Sequence, residues 1–173
     1  MSQTQPSLKE LLLAQLEREA ALTRRSVERF PEGHNSFKPH ERSMELGYLS
    51  SLVAGMLGWI ATIVERDELD LDDPSSEVFR NKPVDTRAEL VAILDAAVAS
   101  SRKALEGTTD QWLLAPWGFK MRGMEFPKLP RHIAIMDSVF SHLAHHRGQL
   151  TVYLRLNEAT VPALYGPSAD ERF

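Results

Sequence analysis

Apolar residues recur at helical spacing in four separate segments, and this recurrence restricts the chain to helix packed on helix. In the first segment Leu8, Leu12, Leu16 and Ala20 follow at i+4 steps, with Leu11 and Leu22 beside them. In the second, Leu49, Leu52, Val53, Met56, Ile60 and Ile63 form one stripe; in the third, Leu90, Ile93, Leu94, Ala97 and Val98 do. The fourth runs through Ile133, Met136, Phe140, Leu143, Leu150 and Tyr153 to about Leu156. Each stripe has to be covered by another. Four of them in 173 residues predict an all-α fold, a four-helix bundle forming one domain over residues 1–173.

Local signals mark the helix ends. Ser7 and Glu10 have capping-box spacing, as do Thr86 and Glu89. Ser43 is the expected N-cap of the second helix, and Pro130 suits the first position of the fourth. Pro31 and Gly33 stop helix one, Gly107 is placed for a left-handed cap on helix three, and Asn157 can end helix four. A long connection joins helices three and four, with Phe119 to Phe126 patterned as a small hairpin. The acidic run Glu65–Asp73 reads as a solvated loop, without the glycine and terminal glutamate of a calcium loop. The tail from Thr160 to Phe173 is ordered only if Val161, Leu164 and Tyr165 dock on the bundle.

Composition removes several function classes. Net charge is −4 with no basic block, which argues against a nucleic-acid partner. With no cysteine, disulfides, thiolate metal sites and a cysteine nucleophile are excluded, and a reducing cytoplasm fits. Met1–Pro6 is polar rather than signal-like, and Leu46–Val64 is interrupted by Ser50, Ser51, Gly55 and Gly58. It reads as a buried bundle helix, so no membrane association is expected. There is no nucleotide-binding glycine loop and no GxSxG.

The chemistry concentrates in His142-Leu-Ala-His145-His146-Arg147-Gly-Gln149-Leu. His142 and His146 lie four apart on one helical face, where two imidazoles can share a divalent ion. The same pair reads equally as polar groups near the core, bonded to helix-two serines or water. His145 is turned about 100° from His146 and falls outside the pair. His34, His40 and His132 read as surface residues, and Arg147 and Gln149 as hydrogen-bonding groups inside the bundle. Gly148 reads as a point of close helix approach, and Trp59, Trp112 and Trp117 as core or dimer-contact aromatics.

The run His145-His-Arg-Gly-Gln-Leu-Thr-Val-Tyr-Leu-Arg155, followed by Val161-Pro-Ala-Leu-Tyr-Gly-Pro-Ser-Ala-Asp-Glu171, resembles the DinB-like family. Thr23-Arg-Arg25, and Lys38-Pro-His40 leading into Ser43-Met-Glu-Leu-Gly47, add to the resemblance. It implies an up-down-down-up bundle, often dimeric, with three metal-ligating histidines. Two of these match His142 and His146. The third belongs a few residues after the Leu46-Gly47 pair, where this chain has Leu52. Helix two contains no histidine, Ser50 and Ser51 are poor ligands, and Glu45 is roughly 10 Å away along the axis.

Three imidazoles would hold zinc or nickel and leave a position open; two hold it more weakly. The expectation is a homodimeric bundle with an incomplete histidine site and weak or lost divalent-metal binding. It could bind a small apolar molecule in the former site or act through dimerisation in a stress response. The alternative is a zinc- or nickel-dependent enzyme that activates a low-molecular-weight thiol, as relatives do. DNA association, suggested by the family name, is opposed by the charge.

Overall fold

Two capping boxes start the two longest helices. The computed structural model describes residues 5–74, 76 and 82–172, so the first part of the polar N-terminal segment and Phe173 lie outside the described residues. Helix α1 (Leu8–Val27) is capped by Ser7, whose Oγ accepts from Glu10 N while Glu10 returns a bond to Ser7 N at 2.7 Å. Thr86 and Glu89 do the same for α4 (Arg87–Gly107).

The second apolar segment is α2 (Leu46–Gly55), a 3₁₀ turn (Met56–Gly58) and α3 (Trp59–Glu65). The break has a cause. Ser101 of α4 donates to Leu57 O at 2.7 Å and accepts from Ala61 N–H at 3.3 Å, the two groups a regular α-helix would bond to each other. Gly58 lets α4 come close: a Cβ there would stand 3.4 Å from the Ala97 Cβ. By length and hydropathy Leu46–Glu65 could cross a membrane, but 72% of its most apolar window is buried within the fold. Ser43 is not its cap. Glu45 is, without a side-chain bond, because the first free N–H groups go to loop carbonyls: Leu46 N to Phe37 O and Gly47 N to Asn35 O, both 2.9 Å.

The chain is mostly helical but not all-α. The acidic run and the long connection together make a small mixed sheet: β1 (Glu68–Asp70), β2 (Pro116–Met121), β3 (Met124–Glu125) and β4 (Leu129–Pro130). β2 pairs in parallel with β1 (Leu69 opposite Phe119) and antiparallel with β3 and β4. The expected hairpin is present. Arg122 and Gly123, with φ of 54° and 71°, form its two-residue turn. The expected solvated loop is instead partly strand: Leu69 is buried, and Lys120 pairs with Glu68 at 3.0 Å.

Short helix α5 (Asp110–Leu114) precedes β2. The last helical segment is α6 (Arg131–Ile135), a π-helical turn (Met136–Ser141) and α7 (His142–Leu156), with Asn157 as C-cap. The π-turn breaks the 3.6-residue register, and Met136, expected inside, is 44% exposed. Gly107 ends α4 within the helix and is not among the left-handed residues; the left-handed glycines are Gly33 and Gly123. A Cβ on Gly148 would meet nothing within 4 Å, so close helix approach is not its role. The buried core draws on Leu12, Leu16, Val53, Ile60, Leu94, Leu143 and Leu150 from all four segments.

Candidate functional site

The geometry of the site begins with the π-turn, which sets where α7 starts and so where His142 points. His142 and His146 come together: their Nε2 atoms are 2.9 Å apart and their ring centroids 4.6 Å. His146 is buried, and its Nδ1 lies 2.8 Å from Gln149 Oε1, an acceptor that places the ring proton on Nδ1. That leaves a lone pair on Nε2, facing His142. Two ring nitrogens this close need a proton or a cation between them. Gln149 Nε2 lies 3.1 Å from His145 Nε2, and His145 itself is exposed, outside the pair as expected. Gln149 is thus the group that orients His146, a role the sequence hinted at only through its i+3 spacing.

Burial lowers the pKa of both rings below the ordinary value of 6.5; for His142 the neighbouring His146 lowers it further. Both are therefore neutral at pH 7, the form that can ligate a metal. The helix-two serines do not partner them. Ser51 Oγ donates to Lys82 O at 2.6 Å, and Ser50 Oγ is buried without a partner among the described residues.

His142 also stands on the wall of a cavity of about 460 Å³. Leu52 lines the same cavity, so α2 contributes a carbon side chain to the space that His142 borders. Among the described residues no third His, Cys, Asp or Glu joins the pair in a cluster able to hold a metal. Glu45 is turned to Lys38, 3.3 Å away. Two imidazoles meet here, and the described residues do not complete a three-histidine centre.

The rest of the cavity depends on the sheet. Trp117, Phe119 and Met121 alternate along β2 and face it together, with Leu69 and Leu71 from β1 and beyond. Trp59 closes the helical side, its ring 5.9 Å from that of His142. Trp59 and Trp117 are thus cavity walls as well as packing groups, while Trp112 lies over Arg131 at 3.7 Å. Arg131, almost fully buried, ties the sheet to the bundle: it donates to Ile63 O (3.0 Å), Pro116 O (2.9 Å) and Asp67 Oδ1 (2.9 Å). No sequence pattern singles it out. His132 is half-buried rather than on the surface, with Nδ1 3.1 Å from Leu113 O, whereas His34 and His40 are exposed.

Arg147 is inside the bundle, as expected. It pairs with buried Glu19 at 2.5 Å and donates to Thr23 Oγ1 at 2.9 Å. Tyr165 caps this pair, donating to Glu19 at 2.9 Å and accepting from Arg147. The tail is therefore docked, although the Tyr165 ring is mostly exposed. Glu171 binds Arg29 (2.6 Å), Arg25 (2.5 Å) and Ala163 N (3.0 Å), and Asp170 binds Arg155 (2.5 Å) and Val161 N (2.7 Å).

Comparisons with known proteins agree with this frame. The DinB family model matches residues 1–172. A Bacillus subtilis protein, YrdA, described as uncharacterised, is 27% identical over 124 residues, 68% of each chain. Two solved DinB-like structures share the fold. One, YjoA from Bacillus subtilis, has a TM-score of 0.63 at 20% identity, covering 88% of this chain and 95% of its own. The other, from Bacillus cereus, has a TM-score of 0.66 at 18% identity, covering 86% and 92%. The chain belongs to the DinB family.

Proposed function

We propose that the protein is a small-molecule-binding DinB bundle whose His142–His146 pair holds a divalent ion, zinc or nickel, only weakly. The observation that supports this is that no third donor joins the pair among the described residues, while Leu52 adds only carbon to the cavity that His142 borders. Two neutral imidazoles with converging Nε2 atoms still attract a divalent cation, but an aliphatic neighbour adds no lone pair. The homodimer and the up-down-down-up helix order implied by the resemblance belong to the same proposal. After dialysis against a chelator the purified protein should retain far less than one ion per chain by elemental analysis; about one tightly held ion per chain overturns the reading. The converging Nε2 atoms favour, as a second reading, a metal-dependent enzyme acting with a low-molecular-weight thiol. Thiol-dependent turnover that appears only on adding zinc or nickel would support it.

A further inference from the structure

We infer that the cavity beside His142 takes a neutral, ring-shaped apolar molecule bearing a few hydrogen-bonding groups, and rejects anions. This rests on the small-molecule-binding reading and gives it a ligand class. Three observations carry it. First, among the described residues no Lys, Arg, Asp or Glu is on the wall, so a carboxylate or sulfonate entering it loses hydration with no cationic side chain among them in return. Low-molecular-weight thiols built from anionic peptides meet the same obstacle. Second, the wall offers flat aromatic faces. The Trp117 and Phe119 ring centroids lie 6.1 Å apart with the rings within 17° of parallel, and Trp59 lines the same cavity. Flat rings stack on such faces with little loss of conformational freedom, which a flexible chain does not match. Third, Tyr48, Thr62 and Ser138 line the cavity, and among the described residues no side-chain hydrogen bond engages their hydroxyls. They can orient a ligand without giving up an internal bond. The volume of about 460 Å³ is that of an ordinary small-molecule pocket.

A matched pair of dyes tests this: N-phenyl-1-naphthylamine, which is neutral, and 1-anilinonaphthalene-8-sulfonate, the same ring system with one sulfonate. The full chain should bind the neutral dye saturably at one per chain, and the sulfonate at least about tenfold more weakly. Thr62→Trp, which fills the cavity, should remove neutral-dye binding while circular dichroism stays helical. Leu71→Lys, which sets a cation on the wall, should narrow the gap between the dyes. Equal or tighter sulfonate binding, no saturable neutral-dye binding, or a preference unchanged in both variants overturns the inference. Zinc titration of the same samples reads the histidine pair separately. Weak zinc binding with no dye binding sinks the ligand class alone, and tight zinc binding sinks the weak-metal reading alone.

Discussion

At the scale of the residue, the buried Arg147–Glu19 pair is the most consequential polar contact. Both side chains are almost fully removed from water, and they link α7 to α1 across 128 positions of sequence. Glu19→Ala leaves a buried guanidinium unpaired and should cost about 3–5 kcal/mol in urea unfolding. The double change Glu19→Leu with Arg147→Met removes both charges and should recover much of that loss. A single-variant cost no larger than the double would show that the charges are not what is being lost. The histidine pair gives the protein a pH dependence of known sign. The folded pKa of His142 and of His146 lies below the ordinary 6.5, so the unfolded chain takes up protons first. Stability from these rings is present in full above about 6.5 and declines as pH falls from there toward their lowered folded values. A His142→Phe, His146→Phe double variant should flatten the unfolding midpoint between pH 7 and 5. An unchanged slope in that window would show the rings are not depressed. Asp170 and Glu171, held down mainly by Arg155 and by the Ala163 backbone respectively, act in a lower window, as pH falls through their lowered carboxylate pKa values.

At the scale of the element, what could be read from sequence was what is local. Ser7 with Glu10 and Thr86 with Glu89 are complete capping boxes within four residues, and both form as expected. Ser43 misled because its rivals are carbonyls of Phe37 and Asn35, supplied by a loop whose path no spacing rule reveals. β1 was illegible for a related reason. Two of its three residues are acidic, and its pairing partner lies about fifty residues on, in β2. The break in the second helix is likewise set from outside, by Ser101. Ser101→Ala leaves Leu57 C=O and Ala61 N–H without that bridge in a buried place. It should cost about 1–3 kcal/mol, unless the helix recloses its own bond and straightens, which a crystal structure of the variant would show. The hairpin turn makes a plainer case. Gly123 has φ of 71°, so Gly123→Ala should lower stability by roughly 1 kcal/mol by urea denaturation, and Arg122→Asn should be neutral or stabilising.

At the scale of the whole molecule, the family and the bundle were legible because helical periodicity and the His145–Glu171 string are continuous in sequence. The cavity was not, because it exists only where α2, α3, α7 and the sheet meet, and its aromatic residues looked like ordinary core. The tail was readable as family-like but not as a latch, since Glu171 reaches back to Arg25 and Arg29 on α1. Removing residues 160–173 should therefore lower the thermal midpoint and speed amide exchange in the Glu19–Arg25 turns of α1. Unchanged exchange there would mean the tail only rests on the surface. The proposed weak metal site turns on the cavity wall to which both Leu52 and His142 contribute. Zinc titration by calorimetry into the chelator-treated wild type and into Leu52→His reads it directly. The expected result is weak binding by the wild type and binding tighter by roughly 100-fold or more in the variant, since loss of even an outer-sphere partner costs 10–100-fold. Equal affinities, or stoichiometric tight binding by the wild type, would contradict it.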